Sequence, residues 1–157
     1  MKRNAGFTLI ELLVTLAIMA LLATLVMPVA ELALQRSREA ELRTALRTLR
    51  NAIDAYKQAS DDGRIALKAG GSGYPPKLEA LVEGVTDAKS PKGAKLYFLR
   101  RIPRDPTSTD TYAEPAATWA TRSYASDPDH PRSGDDVFDV FSRSPGIGLD
   151  GTPYAEW

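Results

Sequence analysis

From Phe7 to Ala30 the chain is apolar throughout except for one charge, Glu11. A helix needs only about 20 such residues to cross a bilayer, so the first third of this chain has few folds open to it. The carboxylate is the anomaly. An ionised side chain at mid-span costs about 2.5–3.5 kcal/mol, somewhat less near the interface. Glu11 is the fifth residue of the run, preceded by Gly6-Phe7-Thr8-Leu9-Ile10 and followed by Leu12-Leu13. A chain that keeps a charge there needs a specific partner for it. Lys2 and Arg3 lie just before the run and, by the positive-inside rule, hold the short N-terminal side in the cytoplasm.

Two simpler readings explain less. A secretory signal would end in a small-x-small cleavage site; Ala17, Ala20 and Ala23 offer weak candidates inside a run that stays apolar beyond them. A plain signal anchor would span the membrane equally well but has no use for Glu11.

The Gly-Phe-Thr-Leu-Ile-Glu core resembles the class III signal of type IV pilins and pseudopilins. The resemblance implies that a prepilin peptidase cuts between Gly6 and Phe7, and that Phe7 is then N-methylated. It also implies that Glu11 pairs with the free N-terminal amine of a neighbouring subunit as the two dock into a filament. The physics agrees: a carboxylate in a first helical turn meets the positive end of the helix dipole. A glycine at the cut site lets the backbone extend into a protease cleft.

The helical pattern continues past the span. Leu42, Ala45, Leu46, Leu49, Ala52, Ile53 and Tyr56 recur at steps of three and four, which marks one apolar face. Charged residues between them, including Arg36, Glu39, Arg43, Arg47, Arg50 and Asp54, read as solvated faces, with Glu39 and Arg43 suitably spaced to pair. The spacing predicts one helix from about Thr8 to about Ser60, roughly 80 Å long at 1.5 Å per residue. Pro28 lies within it and is expected to kink or locally open it, because it lacks an N–H and crowds the preceding turn.

Asp61-Asp62-Gly63 ends this spine, and from Gly63 on the chain carries ten of its eleven glycines and ten of its eleven prolines. That composition predicts loops, turns and short elements, with a modest core completed by the spine. A short helix is expected from Pro76 to Glu83, while Lys95–Leu99 is ambiguous between strand and helical turn. Thr121–Ser126 and Val137–Ser142 read as an antiparallel pair across the spine. Four segments result: a cleaved leader at 1–6, a membrane and filament-core helix at 7–30, an amphipathic spine at 31–60 and a periplasmic head at 61–157. The fold class is α+β, a type IV pilin-like fold with one long helix against a small antiparallel sheet and long loops.

Within that class, Tyr74-Pro75-Pro76 followed by Leu78-Glu79-Ala80-Leu81 is similar to the segment after the spine in G-type, major pseudopilins of type II secretion. Ile102-Pro103-Arg104-Asp105-Pro106 resembles that family's Ile-Pro-x-Asp-Pro motif. The resemblance implies an inner-membrane subunit that joins itself and other pseudopilins in a filament driving secretion. It also implies a prepilin peptidase, an assembly platform and the lipid bilayer as partners. A minor type IV pilin is the alternative, although those heads commonly carry a disulfide loop and this chain has no cysteine. One tip-subunit class, K, replaces the glutamate, so Glu11 argues against that class.

G-type pseudopilins also typically close with an acidic, glycine-rich calcium loop. Here Asp127, Asp129, Asp135 and Asp136 are candidate calcium ligands, but their spacing is not an EF-hand, and Asp and Gly are common in turns. The formal side-chain charge is zero, and −2 once Lys2 and Arg3 are removed; no basic excess points to nucleic acid. An enzyme lacks support, since no nucleophile elbow, zinc motif or phosphate loop is present. The single histidine, His130, reads as a surface loop residue, and Trp119 and Trp157 read as packing residues.

Overall fold

The computed structural model describes residues 7–67 and 70–157. Helix α1 spans Leu9–Asp61, within a residue of the bounds that its hydrophobic spacing predicts. By internal packing the chain divides into two units, one to Ser37 and one from Arg38. In the first, Leu9, Ile10, Leu12, Leu13, Val14 and Leu16 are all exposed, as are Met19, Leu21 and Leu22 further along. An apolar surface of this kind is stable in lipid or against another protein, not in water. The helix is long and apolar enough to cross a membrane. Helical backbone continues on both sides of Pro28. Membrane helices tolerate proline by re-satisfying the freed carbonyl locally.

In the second unit α1 is the floor of the core. Leu42, Ala45, Leu46, Leu49, Ala52, Ile53, Tyr56 and Ala59 are buried along one face, against Leu78, Leu81, Trp119, Val137, Val140 and Tyr154. The helix stops at a Schellman turn. Gly63 takes a left-handed φ of 69°, and the Arg64 and Gly63 amides donate at 2.9 Å to the carbonyls of Ala59 and Ser60. A glycine reaches that φ without the penalty of a Cβ.

Helix α2 covers only Ala80–Glu83, four residues short of the expected start. The amides of Ala80, Leu81 and Val82 instead bond three residues back, at 3.0–3.2 Å, which is the geometry of tight turns. Strands β1 (Val85–Thr86) and β2 (Lys95–Leu96) form a first antiparallel pair. The ambiguous Lys95–Leu99 stretch is therefore strand for two residues only.

Strands β3 (Trp119–Arg122) and β4 (Asp139–Ser142) form the second antiparallel pair, with Trp119 opposite Ser142 and Arg122 opposite Asp139. The pair was expected, but β3 begins two residues earlier than predicted and ends at Arg122. Beyond that point the Ser123 hydroxyl and the Tyr124 amide bond to the Asp136 carboxylate, and the Ser123 amide donates to the Arg132 carbonyl at 2.9 Å. Val137 is buried out of phase with Val140 and Ser142 because it precedes the strand; its amide donates to the Pro75 carbonyl at 2.8 Å.

Two polar ties fix the loops. Asp105, 1% exposed, accepts from the Thr107 amide (2.7 Å) and hydroxyl (2.6 Å) and from the Ser142 hydroxyl at 2.6 Å. The Ile-Pro-x-Asp-Pro segment is thereby stapled to β4, and every bond replaces water that the burial removed. Arg64 donates to Asp87 from Nη2 at 2.6 Å and from Nε at 3.1 Å. That bond and the guanidinium charge hold the buried Asp87 carboxyl below its ordinary value.

The sign of the resulting pH effect is defined. A carboxyl with a lower pKa folded than unfolded, where it is about 3.9, stabilises the fold above that value. The contribution is lost as the pH falls through the lowered folded value. Asp87→Asn should therefore unfold earlier than the parent in urea at neutral pH. The two curves should converge as the pH falls through the lowered folded value and the carboxyl becomes protonated in both states. A gap that stays constant with pH would assign the loss to packing instead.

Candidate functional site

Thr8 is the residue just before the first helical turn, and Glu11 stands three positions on. The Thr8 amide and hydroxyl donate to one Glu11 carboxylate oxygen at 2.8 and 2.9 Å, and the Glu11 amide donates back to the Thr8 hydroxyl at 3.3 Å. This is a capping box: two helix-start donors that would otherwise lack partners are satisfied reciprocally. The Thr-x-x-Glu spacing that signals it is plain in the sequence, yet charge alone drew attention to Glu11 and left Thr8 unremarked. Within a single chain, then, the carboxylate is already hydrogen-bonded. A charged donor would form a stronger class of bond with this carboxylate than these neutral ones do.

Phe7, which would supply that amine, is exposed. Gly6 and the rest of the leader lie outside the described residues. Exposed side chains surround Glu11 along the helix, so a partner can reach it from the side.

The four aspartates named as candidate calcium ligands do not converge. Asp136 Oδ1 accepts from the Ser123 hydroxyl and the Tyr124 amide, both at 2.8 Å. Burial alone would raise its pKa, but these bonds and the Ser72 hydroxyl together hold it below the ordinary carboxylate range. Asp127 Oδ1 accepts from the Asp129 amide at 2.9 Å, closing its own turn. Asp129 and Asp135 are exposed. Among the described residues no three carboxylates or histidines are grouped to hold a metal. Calcium needs about six to eight oxygens directed at one point, whereas Asp127 and Asp136 each accept from a nearby backbone amide. His130 is exposed on the same loop, where a surface residue was expected.

Near the other end of the spine, two residues read as solvated are not. Glu39 is only 6% exposed; its Oε1 accepts from the Leu149 amide at 2.9 Å and the Tyr154 hydroxyl at 3.1 Å. Arg50 is half-buried, donating to Asp139 at 2.8 Å and to the carbonyls of Val140 (3.2 Å) and Trp157 (2.8 Å). Local spacing gives no sign of either role, because every partner lies about 90 residues or more away.

A capped helix start inside an apolar span, continuous with the core helix of a small α+β head, defines a pilin-like subunit. The model of the prokaryotic N-terminal methylation motif matches residues 1–27. Three curated relatives carry the name type II secretion system core protein G. The Aeromonas hydrophila protein is 31% identical over 106 residues, covering 67% of this chain and 68% of its own. The Klebsiella pneumoniae protein is 29% identical over 143 residues, covering 87% and 94%, and the Vibrio cholerae protein 29% over 113 residues, covering 70% of each. No solved structure gives a significant match. The chain belongs to the type II secretion system core protein G family.

Proposed function

We propose that this chain is processed between Gly6 and Phe7, N-methylated at Phe7, and assembled into a helical periplasmic filament that drives type II secretion. It acts as a structural subunit and not as an enzyme. The observation that carries the reading is the first helical turn: one hydrogen-bonded carboxylate at the edge of an otherwise apolar, exposed helix. Before assembly, residues 7–30 lie in the inner membrane, with the basic leader cytoplasmic and the head outside. Residues 31–60 form the spine under the head at 61–157.

Cleavage frees the Phe7 amine, a cation that a peptide bond cannot provide. Glu11 of one subunit then meets the Phe7 amine of another in surroundings of low dielectric, where an ion pair is far better than two separated charges. An assembly platform lifts each subunit so that its apolar segment passes from lipid into the filament core. Repetition of one contact under a rotation that does not close produces a helix of subunits.

Intact mass and N-terminal sequencing of the protein from its native membrane test the processing. The expected chain begins at Phe7 and carries one added methyl group. A chain still beginning at Met1, in cells with an active prepilin peptidase, would leave an ordinary anchored domain.

A further inference from the structure

We infer that this chain closes its head with a latch of its own side chains in place of the calcium that its resemblance to G-type pseudopilins implies. The C-terminal segment folds back as a tight loop: the Gly148 amide donates to the Thr152 carbonyl at 2.8 Å, and Tyr154 to Gly146 at 3.0 Å. Ile147 pairs with Pro153. The loop is closed against Trp157 so tightly that a Cβ on Gly148 would lie 2.6 Å from the indole and 2.7 Å from Asp150 Oδ1.

Three residues of α1 hold this segment. Glu39 accepts from the Leu149 amide and the Tyr154 hydroxyl, a buried carboxylate doing what a metal-bound loop does elsewhere, namely fixing backbone that has left water. Arg43 lies over the Trp157 ring at 4.3 Å and reaches Asp150 at 3.4 Å. Arg50 ties Asp139 and two backbone carbonyls together, the second belonging to Trp157.

The charge arrangement is the decisive point. After Asp139 the sequence contains only two carboxylates, Asp150 and Glu156. Asp150 already faces Arg43 and accepts from the Thr152 amide at 3.0 Å, while Glu156 is exposed. A divalent cation here would meet two guanidinium groups and no uncommitted pair of carboxylates, the reverse of what calcium requires. In the earlier acidic loop Asp136 is bound to Ser123 and Tyr124, and among the described residues no three carboxylates or histidines are grouped to hold a metal.

The test uses the full chain in detergent micelles, followed by thermal unfolding and by tryptophan fluorescence, with calcium chloride or with EDTA. The expected midpoint is the same in both. Glu39→Ala and Arg50→Ala should each lower it by roughly 4–8 °C and expose the bond after Arg143 to trypsin. Calcium should restore neither, whereas Glu39→Gln, which keeps the acceptor, should behave as the parent. A parent midpoint that rises with calcium overturns the latch, as does an unchanged tryptic pattern in Glu39→Ala. If either alanine variant fails to fold, the parent comparison and Glu39→Gln still decide the question. These readouts do not involve filament formation, so their failure is separable from failure of the assembly reading.

Discussion

Glu11→Ala should be cleaved and methylated normally and then accumulate in the membrane without entering filaments. On the proposed reading, cleavage depends on Gly6 and its immediate neighbours, which the substitution leaves in place, and docking depends on the charge. Removing one member of an ion pair in apolar surroundings costs about 3–5 kcal/mol, because the other is left uncompensated. That is roughly a hundred- to a few-thousand-fold in each docking equilibrium, and a filament multiplies the deficit at every subunit.

The alanine also removes the Glu11 half of the capping box, the carboxylate that accepts from the Thr8 amide and hydroxyl, so a second variant separates the two effects. Glu11→Gln keeps an acceptor for the Thr8 amide and hydroxyl but carries no charge. Both variants should fail to assemble, as measured by sheared filament yield and by release of secreted protein. Full assembly of the glutamine variant would show that the cap, and not the charge, is what assembly needs.

Trp119→Ala should come near to unfolding the head. The side chain is 1% exposed and is the largest fully buried group. Its indole N–H donates to the Pro103 carbonyl at 2.8 Å. Deleting a buried Trp costs about 3–5 kcal/mol through lost transfer energy and the cavity left behind. The orphaned carbonyl adds about 1–3 kcal/mol. A total near the lower end of a domain's whole stability, about 5–15 kcal/mol, would leave a large unfolded fraction at physiological temperature. Trp119→Phe keeps most of the ring volume and should lose far less. Urea unfolding of the detergent-solubilised chain separates the two variants, and equal losses would shift the weight from the cavity to the hydrogen bond.

The residues differ in how legible they are. Leu42, Leu49 and Ile53 could be read as core because a helix repeats its own face, so burial follows from spacing alone. The same reasoning placed Glu39 and Arg50 in water, since both lie between apolar positions and look like the solvated side. What buries them is the return of residues 139–157 onto the spine, a contact with no local signal. Asp105 is similar. The sequence offered only a likeness to a motif, whereas the structure shows why the carboxylate is needed: Thr107 and Ser142 meet it out of water. Thr8 differs again: its capping signal is local, a Thr-x-x-Glu spacing at the helix start that the structure shows as a reciprocal pair of bonds.

The turn-rich half shows the limit in a different way. The β3–β4 pairing is visible as two β-prone runs, yet their ends are not, because the Tyr124 amide turns to the Asp136 carboxylate in place of a strand partner. The four acidic loop residues looked like metal ligands by composition. Whether carboxylates converge depends on backbone path, and here the path turns Asp127 and Asp136 onto nearby amides and leaves Asp129 and Asp135 exposed.

By itself the sequence determined the long helix, its apolar first half, the charge at its start and the family to which these belong. Those properties rest on local periodicity and on the cost of placing charge in lipid, and both can be read residue by residue. Only the tertiary structure decided which polar side chains are buried, where the strands end and what holds the C-terminal segment. Those outcomes depend on groups far apart in the chain competing for the same hydrogen-bond partners.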